Sequence, residues 1–523
     1  MPATFDLNDS SVVVIIGSGA GGGTLANELA QKGISSVVLE AGKRIEISDF
    51  KNDEIAMFNL FSWFDPRTTS GTWSVAKTSP DLPVWTCKLV GGTTVHWAGC
   101  ALRFQEHEFK IRTRYGDVAG ANLLDWPIDL AELAPYYDRA ELKMGVSGTH
   151  DMPSLPINNN GKVLFAGAKK LGYTRYQSTK MAINSVPRAG RAGCQQTGFC
   201  CQGCTFGAKW STLYTEIPAG EATGKCEVRA EAQVLRIEHD ASGKVTGVIY
   251  VDRTGAQQRQ RARAVALAAN SIESPRLMLN SSSKQFPQGL ANSSGQVGRN
   301  YTRHTTGAVF AIFDKPVHFY RGTTQSSIVM DEAGLDPKRG FVGGYNLELL
   351  AQGLPSFALN LAPGAWGRER ASAIDAYANT AGVWILGEDL PRETNRITLH
   401  PDRKDKFGMP IPNVHSDDHP NDTALRNHAY AQAEALYKAV GAKRTVRVPP
   451  FPASHNMGTN RMSEKPRDGV VNRFGQAHDV PNLFVSDGSQ FTSSGAENPT
   501  LTIVALAIRQ AEYIAEQLAK RDI

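Results

Sequence analysis

The chain has 523 residues, 41% of them hydrophobic and 20% charged, with 56 Lys and Arg against 51 Asp and Glu and a net charge of +5. This is the composition of a folded globular protein, which excludes disordered and fibrous classes, and without a block of about five basic residues it also excludes a phosphate-tracking nucleic-acid surface. The length exceeds what one core fills, so two connected domains are expected. No run of about 18 apolar residues reads as a membrane span, and Met1-Pro2-Ala3-Thr4-Phe5-Asp6 lacks the basic and apolar regions of a signal peptide. Alone, this predicts a cytoplasmic chain; a folded subunit exported with a signal-bearing partner is the exception.

Ser11 to Ile16 reads as a buried strand, Gly17-Ser18-Gly19-Ala20-Gly21-Gly22 as a glycine turn, Thr24 to Gln31 as a helix and Val37 to Glu40 as a second strand. In this βαβ context Gly17, Gly19 and Gly22 fit GxGxxG, where helix N–H groups hold a pyrophosphate. Glu40, followed by Gly42, is placed to accept hydrogen bonds from an adenosine ribose. The fingerprint serves NAD and FAD alike. Val90-Gly91-Gly92-Thr93-Thr94-Val95-His96-Trp97 follows, where paired glycines let backbone approach a planar ring; a plain loop with a core tryptophan is the bland alternative.

Further on, Ala264 to Asn270 reads as a buried strand entering a helix at Ser274, and Leu483 to Asp487 as a strand before a last helix from about Pro499 to Lys520. One nucleotide-binding sheet therefore draws on both ends of the chain, and the second domain is discontinuous, its pieces about 120–185 and 305–455. The second piece carries strand-like runs at Gly307 to Phe313 and Arg396 to His400.

Seven cysteines are present, four of them between Cys194 and Cys204; Cys87, Cys100 and Cys226 stand alone and read as buried apolar residues. For the loop itself an iron-sulfur cluster, a structural zinc or a disulfide pair are open, with adjacent Cys200 and Cys201 fitting zinc poorly. Near the C-terminus, Ser454 to Met462 and Gly495 to Thr502 bracket the last strand. A histidine taking a hydroxyl proton beside an amide holding the same oxygen is what hydride removal from an alcohol needs. In isolation, however, His455 reads as a core histidine and Asn498 as an N-cap. Trp366, Trp384 and Tyr320 are candidates for stacking on a sugar ring, with core packing the commoner role.

The glycine fingerprint with Glu40, the Gly91-Gly92 loop, Asp125-Trp126-Pro127-Ile128, Ala134-Pro135-Tyr136-Tyr137, Leu267 to Pro275, Val297-Gly298-Arg299-Asn300 and the C-terminal His and Asn-Pro-Thr segments occur in the order seen in glucose-methanol-choline (GMC) oxidoreductases. The chain resembles that family over nearly its whole length. It is similar to pyranose oxidase at the C-terminus and to catalytic subunits of bacterial FAD-dependent glucose, fructose and gluconate dehydrogenases elsewhere.

The resemblance implies an α/β fold: a Rossmann-like FAD-binding domain of GMC type (1–119, 186–304 and 456–523, including the cysteine loop) with a discontinuous α+β substrate-binding domain (120–185 and 305–455). It implies FAD held by Gly17, Gly19, Gly22, Glu40, Gly91, Gly92, His96, Val234, Asp487 and Asn498, with His455 as general base and Asn498 as its partner. His96 stands where pyranose oxidase carries a histidine bonded to the flavin, and the sugar dehydrogenases have a histidine there too, so covalent and non-covalent FAD are both open. Cys194-x5-Cys200-x3-Cys204 resembles the spacing those dehydrogenases use for a 3Fe-4S cluster. Cys201 departs from the pattern, because their additional cysteine lies beside the first ligand.

The implied function is oxidation of a sugar, glycoside or polyol hydroxyl by hydride transfer to FAD, electrons leaving through the cluster to a cytochrome or other acceptor. Alternatives are an oxygen-using oxidase like pyranose oxidase, a dehydrogenase of aryl or aliphatic alcohols, and a flavin-binding subunit with a decayed site, against which the retained His455 and Asn498 argue. The implied partners are a small subunit with a twin-arginine signal and a c-type cytochrome, which would make the location periplasmic and membrane-associated through the complex; cytoplasmic is the alternative.

Overall fold

A computed structural model describes residues 4–61, 67–78, 84–450, 452 and 454–523; the first three residues of the N-terminal segment read above lie outside them. Five short strands form a wholly parallel sheet in the order Leu483–Val485, Ala264–Leu267, Val13–Ile16, Ser36–Leu39, Cys226–Arg229. Four of them are buried along their whole length, and their apolar runs do not alternate because helices cover the sheet faces. The helices Ala20–Gln31 and Thr500–Lys520 pack against each other. The strand order reverses on either side of Val13–Ile16, which opens a crevice at the carboxyl ends of Val13–Ile16 and Ala264–Leu267.

A six-stranded antiparallel sheet stands beside it, in the order Arg444–Val448, Thr305–Ile312, Thr380–Gly387, Tyr345–Leu349, Ser327–Val329, Tyr176–Ser178. One face is packed by Asn159–Lys170 and Pro420–Ala439, whose Leu164, Ala168, Leu425, Ala433 and Leu436 fill a core of their own. Register puts Ala308, Trp384 and Glu348 side by side on the other face. Two three-stranded sheets complete the strands, and one joins Thr68–Ser70 to Pro410–His415.

Boundaries differ from expectation by a few residues, with two informative exceptions. The helix after Ala264–Leu267 begins at Asn270, four residues before Ser274, because Asn270 adopts a left-handed turn (φ 75°) and its side chain accepts from the Ile272 N–H. Asn498 does not cap the last helix; that place falls to Pro499, without a side-chain cap, which leaves the Asn498 amide to the interior. Helix Leu130–Met144 packs on the last helix, with Tyr137 Oη against Thr502 Oγ1 at 2.7 Å, and its Leu133, Tyr137 and Met144 share a core with Val14 and Leu267.

Candidate active site

The crevice is the mouth of a cavity of about 670 Å³. At one end lies the glycine turn. Gly17 needs its positive φ (98°), and a Cβ there would sit 2.5 Å from the Ala268 carbonyl; a Cβ on Gly22 would lie 2.0 Å from the Gly17 carbonyl, and one on Gly21, which the motif does not specify, 1.6 Å from that of Ser486. These three glycines serve chain packing. Gly19 differs: its φ is −66°, the nearest atom to a Cβ is Gly92 Cα at 3.9 Å, and it lines the cavity. Its missing side chain leaves room for a ligand alone, at the start of a twelve-residue helix.

Glu40 closes the turn from behind, accepting from Ser18 N–H at 3.1 Å, Ser18 Oγ–H at 2.7 Å and Gly42 N–H at 2.9 Å while still facing the cavity. Burial pushes its carboxyl up, opposed by those hydrogen bonds. Gly92 lines the cavity, whereas Gly91 sits behind it against Leu213, its N–H donating to Ser18 Oγ at 3.0 Å. Val234 and Asp487 also line it; Asp487 accepts from Asn270 N–H, Ser274 Oγ–H and Ser489 N–H. His96 lies between Trp85 and Phe61, and burial, then the Lys209 charge, lowers its pKa to about 3, so the ring is neutral.

The far end holds His455 and Asn498 on one wall, with Asn456 and Glu348. The Nδ1 of His455 is taken by His304 Nδ1 at 2.9 Å, so Nε2 is the nitrogen left for a ligand. Burial and then His304 hold His455 well below its usual value. Asn498 Oδ1, Asn456 Nδ2 and Glu348 Oε1 are buried without a hydrogen-bond partner among the described residues. Orphaned polar atoms around one cavity mark where a bound group belongs. With the Gly19 gap, they make the lining chemically suited to a dinucleotide at the glycine turn and a hydroxylated ligand near His455.

The cysteine loop forms part of the side wall through Gly198, Cys201 and Gln202. Cys194, Cys200 and Cys204 instead pack together on Cys100, Leu155, Met181, Ile183 and Ala208. No three cysteine sulfurs lie within 4.8 Å of one another. All seven cysteines are free thiols, with Cys87, Cys100 and Cys226 buried as expected. The group that does meet the 4.8 Å spacing, Asp138, Glu141 and His150, already has both carboxylates paired with Arg103.

Two connections escaped sequence reading. Lys209, fully buried, donates to the carbonyls of Val95 (3.0 Å), Trp97 (2.6 Å) and Cys200 (2.5 Å), tying the His96 loop to the cysteine loop. Gln325 bonds Cys100 Sγ on one side (3.4 Å) and Glu348 on the other (3.0 Å), joining the cysteine patch to the His455 end. Neither residue stands in a pattern, so nothing local signals them. Of the aromatics, Trp384 lines the cavity, Tyr320 stacks on Tyr377 at 4.4 Å, and Trp366 is 85% exposed.

A parallel-sheet crevice with a glycine turn, opening into a chamber walled by an antiparallel sheet, defines a dinucleotide-binding α/β oxidoreductase. The chain belongs to the GMC oxidoreductase family, whose N-terminal family model matches residues 69–306 and whose C-terminal one matches residues 391–507. It is similar to a 2-methyl-1,2-propanediol dehydrogenase of Mycolicibacterium austroafricanum, 34% identical over 98% of this chain and 96% of that one. A fructose dehydrogenase large subunit of Gluconobacter japonicus is 30% identical over 97% and 98%. Among solved structures, pyridoxine 4-oxidase from Mesorbium loti superimposes with a TM-score of 0.65 at 16% identity, covering 97% and 99%. The protein is thus an oxidoreductase of alcohol or sugar hydroxyls.

Proposed function

We propose that this chain is an FAD-dependent dehydrogenase of a polyol or sugar hydroxyl that passes electrons onward through an iron-sulfur cluster held by Cys194, Cys200 and Cys204. The observation that carries this reading is a single cavity bounded by the Gly19 gap, by His455 with Asn498, and along its side by the cysteine loop. In this reading residues 1–119, 186–304 and 456–523 form the FAD domain, with Gly19, Glu40, Gly92, His96, Val234, Asp487 and Asn498 facing the cofactor and Gly17, Gly22 and Gly91 shaping the backbone around it. Residues 120–185 and 305–455 shape the substrate chamber, except that Leu130–Met144 supports the last helix. FAD bound there supplies a two-electron acceptor for the hydride leaving the alcohol carbon.

His455 Nε2 takes the hydroxyl proton, and the Asn498 amide orients the same oxygen as it becomes a carbonyl. Glu348, beside Asn498, is pushed up to about 8 by burial, with the amide opposing the shift, so it is largely neutral at pH 7 and adds little negative charge where the substrate oxygen loses its proton. A neutral His96 is also compatible with a covalent bond to the cofactor. The diol dehydrogenase supports a small polyol substrate, and the large-subunit relative supports a complex with other subunits, which in this reading are a small subunit with a twin-arginine signal and a c-type cytochrome in the periplasm. No helix among the described residues is long and apolar enough to cross a membrane.

The test is low-temperature EPR of the oxidised protein with iron and acid-labile sulfide assayed on the same sample. A three-iron signal near one per chain, lost in Cys194→Ser, Cys200→Ser and Cys204→Ser but kept in Cys201→Ser, is expected. Anaerobically prepared protein with full FAD but neither iron nor sulfide would sink the electron path and leave an oxygen-using oxidase.

A further inference from the structure

Behind the candidate base lies a second histidine, His304, fully buried and with both ring nitrogens engaged: Nδ1 with His455 Nδ1 at 2.9 Å, and Nε2 with the Ser494 carbonyl at 3.1 Å. The two rings cross at 86° with centroids 5.0 Å apart. A carbonyl oxygen only accepts, so the hydrogen between His304 and Ser494 belongs to His304 Nε2. A neutral imidazole carries one N–H, so His304 Nδ1 is a lone pair, and the hydrogen between the histidines belongs to His455 Nδ1. His455 Nε2 is thereby unprotonated. Burial keeps His304 neutral, with Asp389 the charged group that pulls the other way.

The backbone around His304 is built to hold this arrangement. His304 sits in the left-handed region at φ 65°, a conformation that persists in a non-glycine residue only when its surroundings over-determine it. The Asp389 carboxylate accepts both the Arg303 N–H (2.9 Å) and the His304 N–H (3.0 Å). Ser494, whose carbonyl holds the ring, exchanges hydrogen bonds of 3.2 Å between its hydroxyl and the Asp389 backbone. Three segments far apart in sequence are thus knotted around one imidazole.

We propose that His304 is a positioning residue that sets the tautomer of His455 so that Nε2 faces the cavity as the proton acceptor; this rests on His455 being the base. Once His455 has accepted the substrate proton, its Nδ1–H bond to the His304 lone pair becomes charge-assisted and shorter, which favours the step.

Two variants separate the roles of the two ring nitrogens. His304→Asn keeps an acceptor near the Nδ1 place, whereas His304→Gln reaches toward Ser494 but offers none there. Anaerobic flavin reduction by 1,2-propanediol and by D-fructose is followed in the FAD-loaded enzyme, alongside FAD content. His304→Gln is expected to lose on the order of 100-fold in reduction rate with KM little changed, and His304→Asn to recover most of it. In parallel, 15N NMR of histidine-labelled holoenzyme, with the His455 signal assigned by its loss in His455→Ala, is expected to show the Nδ1–H tautomer in wild type without any substrate. Equal rates in the two variants, or an Nε2–H tautomer in wild type, would overturn the proposal. If His455→Ala still reduces flavin while the tautomer is as stated, the base assignment fails and the pairing stands.

Discussion

Replacing Gly19 and Gly22 by alanine, one at a time, separates cofactor room from chain packing. A Cβ at position 22 would stand 2.0 Å from the Gly17 carbonyl oxygen and 2.9 Å from Ala268 Cβ, so the turns that follow two strands must give way. Overpacking of that kind costs about 1–3 kcal/mol. At position 19 the backbone is already in a region open to alanine and the nearest atom is 3.9 Å away, so the apoprotein gains about 0.4–1 kcal/mol from a less flexible unfolded chain. The added methyl instead occupies the space where a pyrophosphate approaches the helix N-terminus. A loss of 10- to 100-fold in FAD affinity is expected, about 1.4–2.8 kcal/mol. Denaturant unfolding of the apoproteins gives the first quantity, and FAD titration by fluorescence quenching gives the second. Gly19→Ala binding FAD like wild type, or Gly22→Ala as stable as wild type, would refute the reasoning.

Three further outcomes follow from buried charge. Because burial raises the Glu348 pKa to about 8 from 4.5, the unfolded chain binds fewer protons between those values, so stability falls as pH rises through that window; Glu348→Gln removes this share, and the melting-temperature difference between variant and wild-type apoprotein should grow from pH 5 to 8. With His455 held below 6.5, the base is free at neutral pH, and the acid limb of kcat/KM should lie below pH 6.5; an acid limb at or above 6.5 would contradict this. Lys209→Met strands one buried and two half-buried carbonyls, the buried one at about 1–3 kcal/mol before relaxation, and hydrogen exchange should rise at both 93–97 and 200–204, since one ammonium holds both loops.

Much of the nucleotide-binding sheet was legible because strands covered on both faces are written as unbroken apolar runs, and Val13–Ile16 and Ala264–Leu267 are such runs. The glycine turn was legible for its pattern but not for its division of labour. That Gly19 opens onto the cavity beside Gly92, and that Gly21 is packed against Ser486, more than 450 residues away, depends on segments brought near only by folding. His304, Glu348 and Lys209 carried no signal, since each acquires its role from a partner brought near only by folding, as His304 does from His455, 151 positions on. The cysteines announced themselves by density, yet their spacing did not reveal that Cys201 turns to the cavity while the other three turn away from it.

The parallel sheet also has a consequence for synthesis. Its edge strand Leu483–Val485, the candidate base His455 and Asn498 all emerge from the ribosome more than 430 residues after the glycine turn. Until then Ala264–Leu267 presents an apolar, half-paired edge, the kind of long-range pairing that folds slowly and invites aggregation. The partly made chain is therefore expected to aggregate unless it is kept soluble, and nonsense mutations that remove only the last tenth of the chain should yield colourless, insoluble product.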